Sequence, residues 1–475
     1  MHILLVDPAP RSGITEPYEH LGLSSLCAVL RTKGYEVDIL SGPLMNSTAH
    51  RMVKEIIRYD PDILGFSVKE VHARRTLRMV KALRQKGLKS HITLGGHFPT
   101  FNHIQILQDY PEVNSVIRGE GEDTMAELVE TLTDGGSLSS VCGLTWREGD
   151  CICDNPPRPL IEDLDRLPFL SRDITQQVIH QGGAIGMIAS RGCYANCSFC
   201  SIRSFYGTSP GQKWRTRLPV HIVDEIEKLA STFPGTPFKF IDDQFIGPGE
   251  RGRAYAIDIA SEIQKRGVAI EFLISCRVDA IEKDLFTSLK EAGLKKVFLG
   301  VESGTQQVLD RFDKNTTVEQ NKKALQILDE IGLDYTIAFI FFDPYSTMED
   351  VKGNLEFLSE IRPYWQGKKG VLSIEPSVTV HKGTSIEQQL REDGRLIGDY
   401  LGYRYKIADR KVQILRAIAD CLIRRIQPAF HQFRIKGRFQ AKKIKEGFMT
   451  LTSPLKYILQ GEKYIMNLKK QSDSL

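Results

Sequence analysis

The sequence predicts an α/β protein in three parts: a Rossmann-like, doubly wound parallel-sheet domain, a partial (β/α)6 barrel and a helical C-terminal region. Three observations carry this. Short β-branched runs alternate with amphipathic helical stretches through residues 1–135, the pattern of a parallel sheet with helices on both faces. The alternation resumes with longer helices over 184–385. The charge then changes character: residues 401–475 hold 17 Lys/Arg against 5 Asp/Glu, a net +12 in a chain whose total is +4, so the first 400 residues sum to −8.

In the first domain the expected strands are Ile3–Val6, Val37–Leu40, Ile63–Ser67, His91–Leu94 and Ser115–Arg118. Amphipathic helices such as Ser24–Lys33 and Ala73–Lys86 lie between them. Polar turns then place loops at the carboxyl edge of the sheet, where such folds bind ligands. Residues 136–183 read as a connector with a small hairpin, Gly143–Arg147 and Cys151–Asp154, followed by Pro156, Pro157, Pro159 and Pro168, a density no helix survives. The barrel strands are expected at Gly186–Ser190, Phe238–Asp242, Glu271–Cys276, Lys296–Val301, Thr336–Phe342 and Val371–Val378. Helices are expected at Val220–Thr232, Arg251–Lys265, Lys283–Ala292 and Val318–Ile331. Six β/α units suit an open barrel better than a closed eight-unit one, with chemistry on the loops leaving the strands. Residues 386–475 form the basic helical region.

Composition narrows the class. Hydrophobic residues make up 41% and charged residues 26% of the chain, a globular balance. No apolar run approaches the ~20 residues a membrane span needs, so the chain is not expected to be transmembrane. The opening MHILLVDPAP has neither a basic n-region nor a small-residue cleavage site, so no signal peptide is read. The expected compartment is the cytoplasm, where nine cysteines are not a disulfide framework.

The strongest chemical signal is SRGCYANCSFC, residues 190–200. It places Cys193, Cys197 and Cys200 within eight residues, just after the first barrel strand. Soft thiolates this close share a metal. Three ligands without a nearby fourth suit an iron–sulfur cluster with one open iron better than closed structural zinc. The nearest histidine, His221, falls in the next element. Structural zinc and three free buried cysteines are the competing accounts.

CxxxCxxC with an aromatic, Phe199, before its last cysteine resembles the signature of radical S-adenosylmethionine (SAM) enzymes, and the resemblance covers roughly 184–380. It implies a [4Fe-4S] cluster on Cys193, Cys197 and Cys200, whose fourth iron chelates SAM. One electron then cleaves SAM to methionine and a 5′-deoxyadenosyl radical. Phe199 is implied beside the adenine. Asp242 and Asp243 in FIDDQF end the second strand, where the family recognises the SAM ammonium. Glu302 and Ser303 in GVESG end the fourth, where relatives bind the ribose or methionine part. Arg277, after the third, is implied as a partner for the SAM carboxylate. The competing account of each polar residue is a cap or turn. FFDPYSTMED departs from the family's GLPGET-like fifth strand, and KGTSI (382–386) carries Lys382 in place of Pro.

The amino-terminal part resembles the cobalamin-binding domain fused to many of these enzymes, so the whole resembles the cobalamin-binding radical SAM family, class B methyltransferase-like. LGGHFPT and RGEGE follow the fourth and fifth strands. Gly95, Gly96, Gly119 and Gly121 allow close backbone approach to cobalamin, and His97, Thr100, Glu120 and Glu122 belong to the same loops. Thr100 and Glu122 supply polar groups for its tail and amides. The D-x-H-x-x-G loop of methionine synthase is replaced by DPAPRSG (7–13), without the histidine. The lower cobalt face then meets the loop Ser67–His72, with Ser67, Lys69, Val71 or His72 as candidates, His72 reading better as a surface residue.

The basic tail interleaves Arg404, Arg410, Lys411, Arg416 and Arg424 with Tyr403, Tyr405, Phe430 and Phe433. Val412, Leu415, Ile418 and Leu422 fit an amphipathic helix packed on the barrel. A solvated basic cap competes with docking of an acidic partner, an anionic substrate, nucleic acid or anionic lipid; no RNA-binding motif is present. The implied activity is methyl transfer from methylcobalamin to an unactivated carbon after hydrogen abstraction. The alternative is cyclisation, rearrangement or C–C bond formation with the same cofactors. An RNA methylthiotransferase would need a second cysteine triad, yet only Cys27 lies before Cys142. The expected partners are a small-molecule or carrier-bound substrate and an electron donor such as a flavodoxin or ferredoxin. No general base is assigned; Tyr345, Glu375 and His381 lie near late strand ends.

Overall fold

The structure, a computed structural model, describes residues 1–10, 17–367 and 369–420. Residues 11–13 of the DPAPRSG loop and the tail beyond residue 420, with Leu422, Arg424, Phe430 and Phe433, lie outside them.

The first sheet runs β1 (His2–Asp7), β2 (Glu36–Ser41), β3 (Ile63–Ser67), β4 (His91–Gly95), β5 (Ser115–Ile117), β6 (Leu144–Glu148) and β7 (Cys151–Asp154), in the spatial order 2-1-3-4-5-6-7. Its first five strands are parallel. Alternation along β1 explains the two-sided cover: Ile3 and Leu5 enter one core with helices Leu21–Thr32 and Glu122–Asp134, and Leu4 and Val6 enter the other with Ala49–Tyr59 and Ala73–Gln85. The hairpin expected inside a connector instead extends this sheet. β6 pairs antiparallel with β5, Ser115 opposite Trp146, and buried Trp146 joins the core.

The second sheet holds β8 (Ile185–Met187), β11 (Phe238–Phe240), β12 (Phe272–Arg277), β13 (Leu294–Glu302), β14 (Asp334–Phe342) and β15 (Gly370–Ser377), all parallel and in sequential order. This is the expected open six-unit barrel. Its first strand is shorter than expected: the chain leaves the sheet at Ile188, and β9 (Ser190–Arg191) pairs antiparallel with β10 (Arg215–Thr216). The cause is Asp242, whose carboxylate accepts the backbone N–H groups of Ala189 at 3.2 Å and Ser190 at 2.5 Å. Residues 410–420 are helical, with Val412, Leu415 and Ala419 buried in the barrel's outer core and Ile418 half-buried.

Segment 381–401 crosses back onto the first domain. His381 pairs with Glu70 at 2.6 Å, Asp399 with Arg74 at 2.8 Å, and the Tyr400 hydroxyl donates to Asp109 at 2.8 Å. Among the described residues no helix is long and apolar enough to cross a membrane.

Candidate functional site

The cysteine loop leaves the first barrel strand through Gly192. This residue sits at φ +85°, where a Cβ would lie 1.8 Å from the Lys213 carbonyl oxygen, so only glycine fits. Cys193, Cys197 and Cys200 follow, all half-buried. Burial raises the Cys193 thiol and pushes Cys200 up to about 12, so each must lose a proton to bind iron. The Cys193 sulfur accepts the Ala195 N–H at 3.4 Å. Among the described residues no three His, Cys, Asp or Glu side chains converge tightly enough for a single ion. Phe199 meets Phe312 edge-on at 4.8 Å beside this loop.

The carboxylates at the second strand end divide their work. Asp242, expected to meet SAM, is buried, and besides the two backbone groups accepts the Ser190 hydroxyl at 2.6 Å. It ties down the start of the cysteine loop, which corrects the expectation for this residue. Asp243 accepts the Gly192 N–H at 3.1 Å and opens into the cavity described below. Burial raises each carboxyl to about 6.

Arg277 donates to Asp279 at 2.9 Å, to the Lys314 carbonyl at 2.5 Å and to the Cys197 sulfur at 3.7 Å. Its guanidinium thus sits against the cysteine loop while paired with Asp279. Glu302 ends β13 at φ +67° and pairs with Lys314 at 3.1 Å. The Ser303 hydroxyl is fully buried and donates to Asn354 at 2.8 Å, so that side chain is structural, contrary to expectation. Lys314 was not singled out from sequence, because nothing local distinguishes it from a surface lysine.

A cavity of about 630 Å3 lies between the two domains. One wall comes from the carboxyl ends of β1, β3, β4 and β5, at the point where strand order reverses. It includes Gly65, Ser67, Lys69, Val71, Gly95, Gly96, His97, Gly119 and Gly121. The opposite wall includes Ile188, Ile202, Phe205, Tyr206, Ile241 and Asp243. Gly65 forms part of the floor, where a Cβ would meet the Leu5 side chain at 3.1 Å. Gly96 and Gly119 take positive φ, as the expected loop approach requires. His72 is half-buried and is not among the cavity residues.

Of the expected cobalamin contacts, Thr100 is buried and is not among the cavity residues, whereas Glu120 and Glu122 line the cavity and also brace its wall. The Thr100 hydroxyl donates to the Gly96 carbonyl at 2.8 Å and accepts the Gly119 N–H at 3.1 Å, stitching the two glycine loops together. Glu122 accepts Arg191 at 2.6 Å and the Ser25 hydroxyl at 2.7 Å. Glu120 accepts Arg191 at 3.1 Å, Arg215 at 2.8 Å and the Ile161 N–H at 2.8 Å. Burial alone would raise the Glu122 carboxyl; Arg191 outweighs it and holds the group at about 2. Arg191 immediately precedes the cysteine loop, so this buried network locks the glycine loops to it. The sequence offered no signal for the pairing, since its partners lie some 70 residues apart.

His97 stacks on Phe205 at 4.1 Å, and burial, then His381 and Lys69, lower its imidazole to about 4, leaving it neutral. His381 and Lys382 complete the cavity rim. Tyr345 donates its hydroxyl to Asp393 at 2.6 Å.

Comparison with known proteins agrees with this geometry. The B12 binding domain family matches residues 14–129 and the Radical SAM superfamily residues 187–358. An uncharacterized methyltransferase of Pyrococcus horikoshii is 29% identical over 370 residues, 76% of this chain and 78% of that one. The anaerobic magnesium-protoporphyrin IX monomethyl ester cyclase of Rubrivivax gelatinosus is 29% identical over 386 residues, 76% of this chain and 66% of that one. The structure of the cobalamin-dependent SAM radical enzyme OxsB with aqua-cobalamin bound superposes with a TM-score of 0.78 at 22% identity, over 95% of this chain and 71% of that one. The chain joins a B12 binding domain to a radical SAM domain, and these imply cobalamin, SAM and a 4Fe-4S cluster as its cofactors. The glycine-floored cavity and the three thiols fit them.

Proposed function

We propose that this B12-binding radical SAM enzyme is a C-methyltransferase acting on an unactivated carbon of a small or carrier-bound biosynthetic substrate in the cytoplasm. The observation that carries the reading is one cavity walled by both domains, with the glycine loops facing the ends of the first two barrel strands. When bound, the cluster and SAM supply a 5′-deoxyadenosyl radical for hydrogen abstraction, and cobalamin supplies the methyl group. Cys193, Cys197 and Cys200 would hold the cluster, Asp243 the SAM ammonium, and the floor around Gly65 and Gly96 the cobalamin. Arg191, clamped by Glu120 and Glu122, holds the two binding regions in fixed register. Ile188, Ile202, Phe205 and Ile241 give the barrel-side wall an apolar surface that keeps water from a reactive intermediate. The similarity to a methyltransferase supports methyl transfer.

The second reading keeps the cofactors but forms a ring or rearranges a skeleton, as the similarity to a cyclase allows. Either reading needs a reductant, for which a flavodoxin or ferredoxin is proposed.

The test is an anaerobic assay of reconstituted protein with SAM, reductant and methylcobalamin against Cys197→Ala, following 5′-deoxyadenosine and S-adenosylhomocysteine by mass spectrometry. Cysteine-dependent formation of both, coupled to a methylated product, is expected. Deoxyadenosine with a cyclised or isomerised product would replace methyl transfer by the second reading. Neither product, from protein with full iron content, would overturn both.

A further inference from the structure

Barrel strands alternate between a face packed on the helices and a face turned inward. Val297 and Leu299 of β13 and Tyr335 and Ile337 of β14 belong to the helix-side core, and Leu372 and Ile374 of β15 pack against it. The residues between them face the interior. Register aligns Phe298 with Thr336, Thr336 with Val371, and Ile340 with Glu375 across neighbouring strands. Phe298 and Val371 remain 46% and 51% exposed, large apolar side chains that no part of the described structure covers.

Glu375 stands on this wall one register step from the carboxyl end of β15, an edge strand that also accommodates Pro376. Its strand partner Ile340 belongs to the small apolar core of Val308 and Phe312, against which Phe199 of the cysteine loop packs. The carboxylate therefore lies toward the end of the barrel where the cluster cysteines are.

Apart from Asp243, which opens into the cavity between the domains, the other carboxylates at the barrel's strand ends are taken. Asp242 holds backbone N–H groups, Asp279 holds Arg277, Glu302 holds Lys314, and Asp343 holds Arg311 and the Ser346 hydroxyl. Glu375 has no hydrogen-bond or ion-pair partner among the described residues. Burial raises its carboxyl, and no neighbouring cation opposes the shift. Glu375 is exposed on this face, so its carboxylate is accessible to a ligand lying there.

We propose that Glu375 is the specificity residue of the barrel interior, and that the substrate is an apolar-bodied small molecule with a cationic amine, its ammonium paired with Glu375 and its hydrocarbon lying against Phe298 and Val371. This deepens the proposed function and rests on its reading of the chain as a radical SAM enzyme; Glu375, Phe298 and Val371 stand on the inner barrel face and are not among the residues lining the cavity between the domains.

The test uses hexylammonium and hexanoate, ions of equal chain length and opposite charge, with the full-length reconstituted protein and saturation-transfer difference NMR. Hexylammonium is expected to bind about ten-fold more tightly than hexanoate, the effect of a single favourable charge pair. In Glu375→Gln the two probes should agree within about two-fold, and Phe298→Ala should weaken both. Removing an uncompensated charge leaves Glu375→Gln at least as stable as the parent by thermal unfolding, so lost preference would not reflect misfolding. Equal affinities in the parent protein, a preference that survives Glu375→Gln, or no binding of hexylammonium would overturn the proposal. Deoxyadenosine release by the same preparation reports the radical chemistry independently: intact release without the charge preference overturns this inference alone.

Discussion

The Glu122 carboxylate accepts a 2.6 Å hydrogen bond from the Arg191 guanidinium, joining the helix after β5 in one domain to the residue two positions before Cys193 in the other. Both side chains are almost fully buried. Glu120 reinforces the pair by accepting both Arg191 and Arg215. The acidic loop that lines the cavity is thus also the joint between the two domains.

Cutting that joint should be costly. Arg191→Ala leaves buried carboxylates without a partner and should destabilise the protein by about 3–5 kcal/mol, measured by urea unfolding. The Glu122 carboxyl lies at about 2 in the folded protein against an ordinary 4.5. Its contribution, about 3 kcal/mol, is complete above pH 4.5 and disappears as the pH falls toward 2. Glu122→Gln should flatten that acid-side loss in a series of urea midpoints against pH. An unchanged slope would mean Arg191 is balanced by another group.

The adjacent aspartates should separate cleanly. Asp242→Asn replaces one acceptor oxygen with a donor facing the N–H groups of Ala189 and Ser190, so the melting temperature should fall by the equivalent of about 1–3 kcal/mol. Asp243→Asn keeps one oxygen for the single Gly192 N–H, so it should cost less stability than Asp242→Asn but weaken SAM about ten-fold, measured by equilibrium dialysis. Because burial lifts the Asp243 carboxyl to about 6, SAM affinity in the parent should decline as the pH drops through 6 and the charge is lost. The Asn variant should lack that decline.

Gly65→Leu should act as a plug. Its side chain would project where even a Cβ meets Leu5 at 3.1 Å, filling the cavity floor between β1 and β4. Cobalamin should no longer co-elute with the protein in gel filtration, while iron and sulfide content stays at the parental level. Loss of both together would mean that the substitution unfolds the first domain rather than blocking its cavity.

Local patterning made much of this legible. The alternation of Ile3, Leu4, Leu5 and Val6 marks a strand buried on both faces, and the 3-2 spacing of Cys193, Cys197 and Cys200 places three thiols on one loop without reference to any distant residue. The hairpin was legible as two strands, but not as part of the sheet, since that depends on Trp146 finding a core built by residues far upstream. Asp242 and Asp243 are neighbours of the same type; which one is consumed by backbone groups depends on how the chain leaves β8. Thr100 and Glu122 show the same limit: a polar side chain beside a ligand loop looks alike in sequence whether it meets the ligand or braces the loop.

By itself, then, the sequence determined what depends on near neighbours: two α/β domains, the cysteine loop, the glycines that bring backbone close to a ligand, and a basic tail. Only the tertiary structure decided which charges are spent on holding the molecule together and which stay free for a ligand. Arg191 meets Glu122 from 69 positions away, Arg277 is claimed by Asp279 and the Lys314 carbonyl, and Glu375 is left without a cation among the described residues. A hydrogen bond is selected by distance and burial, and both are properties of the packed chain.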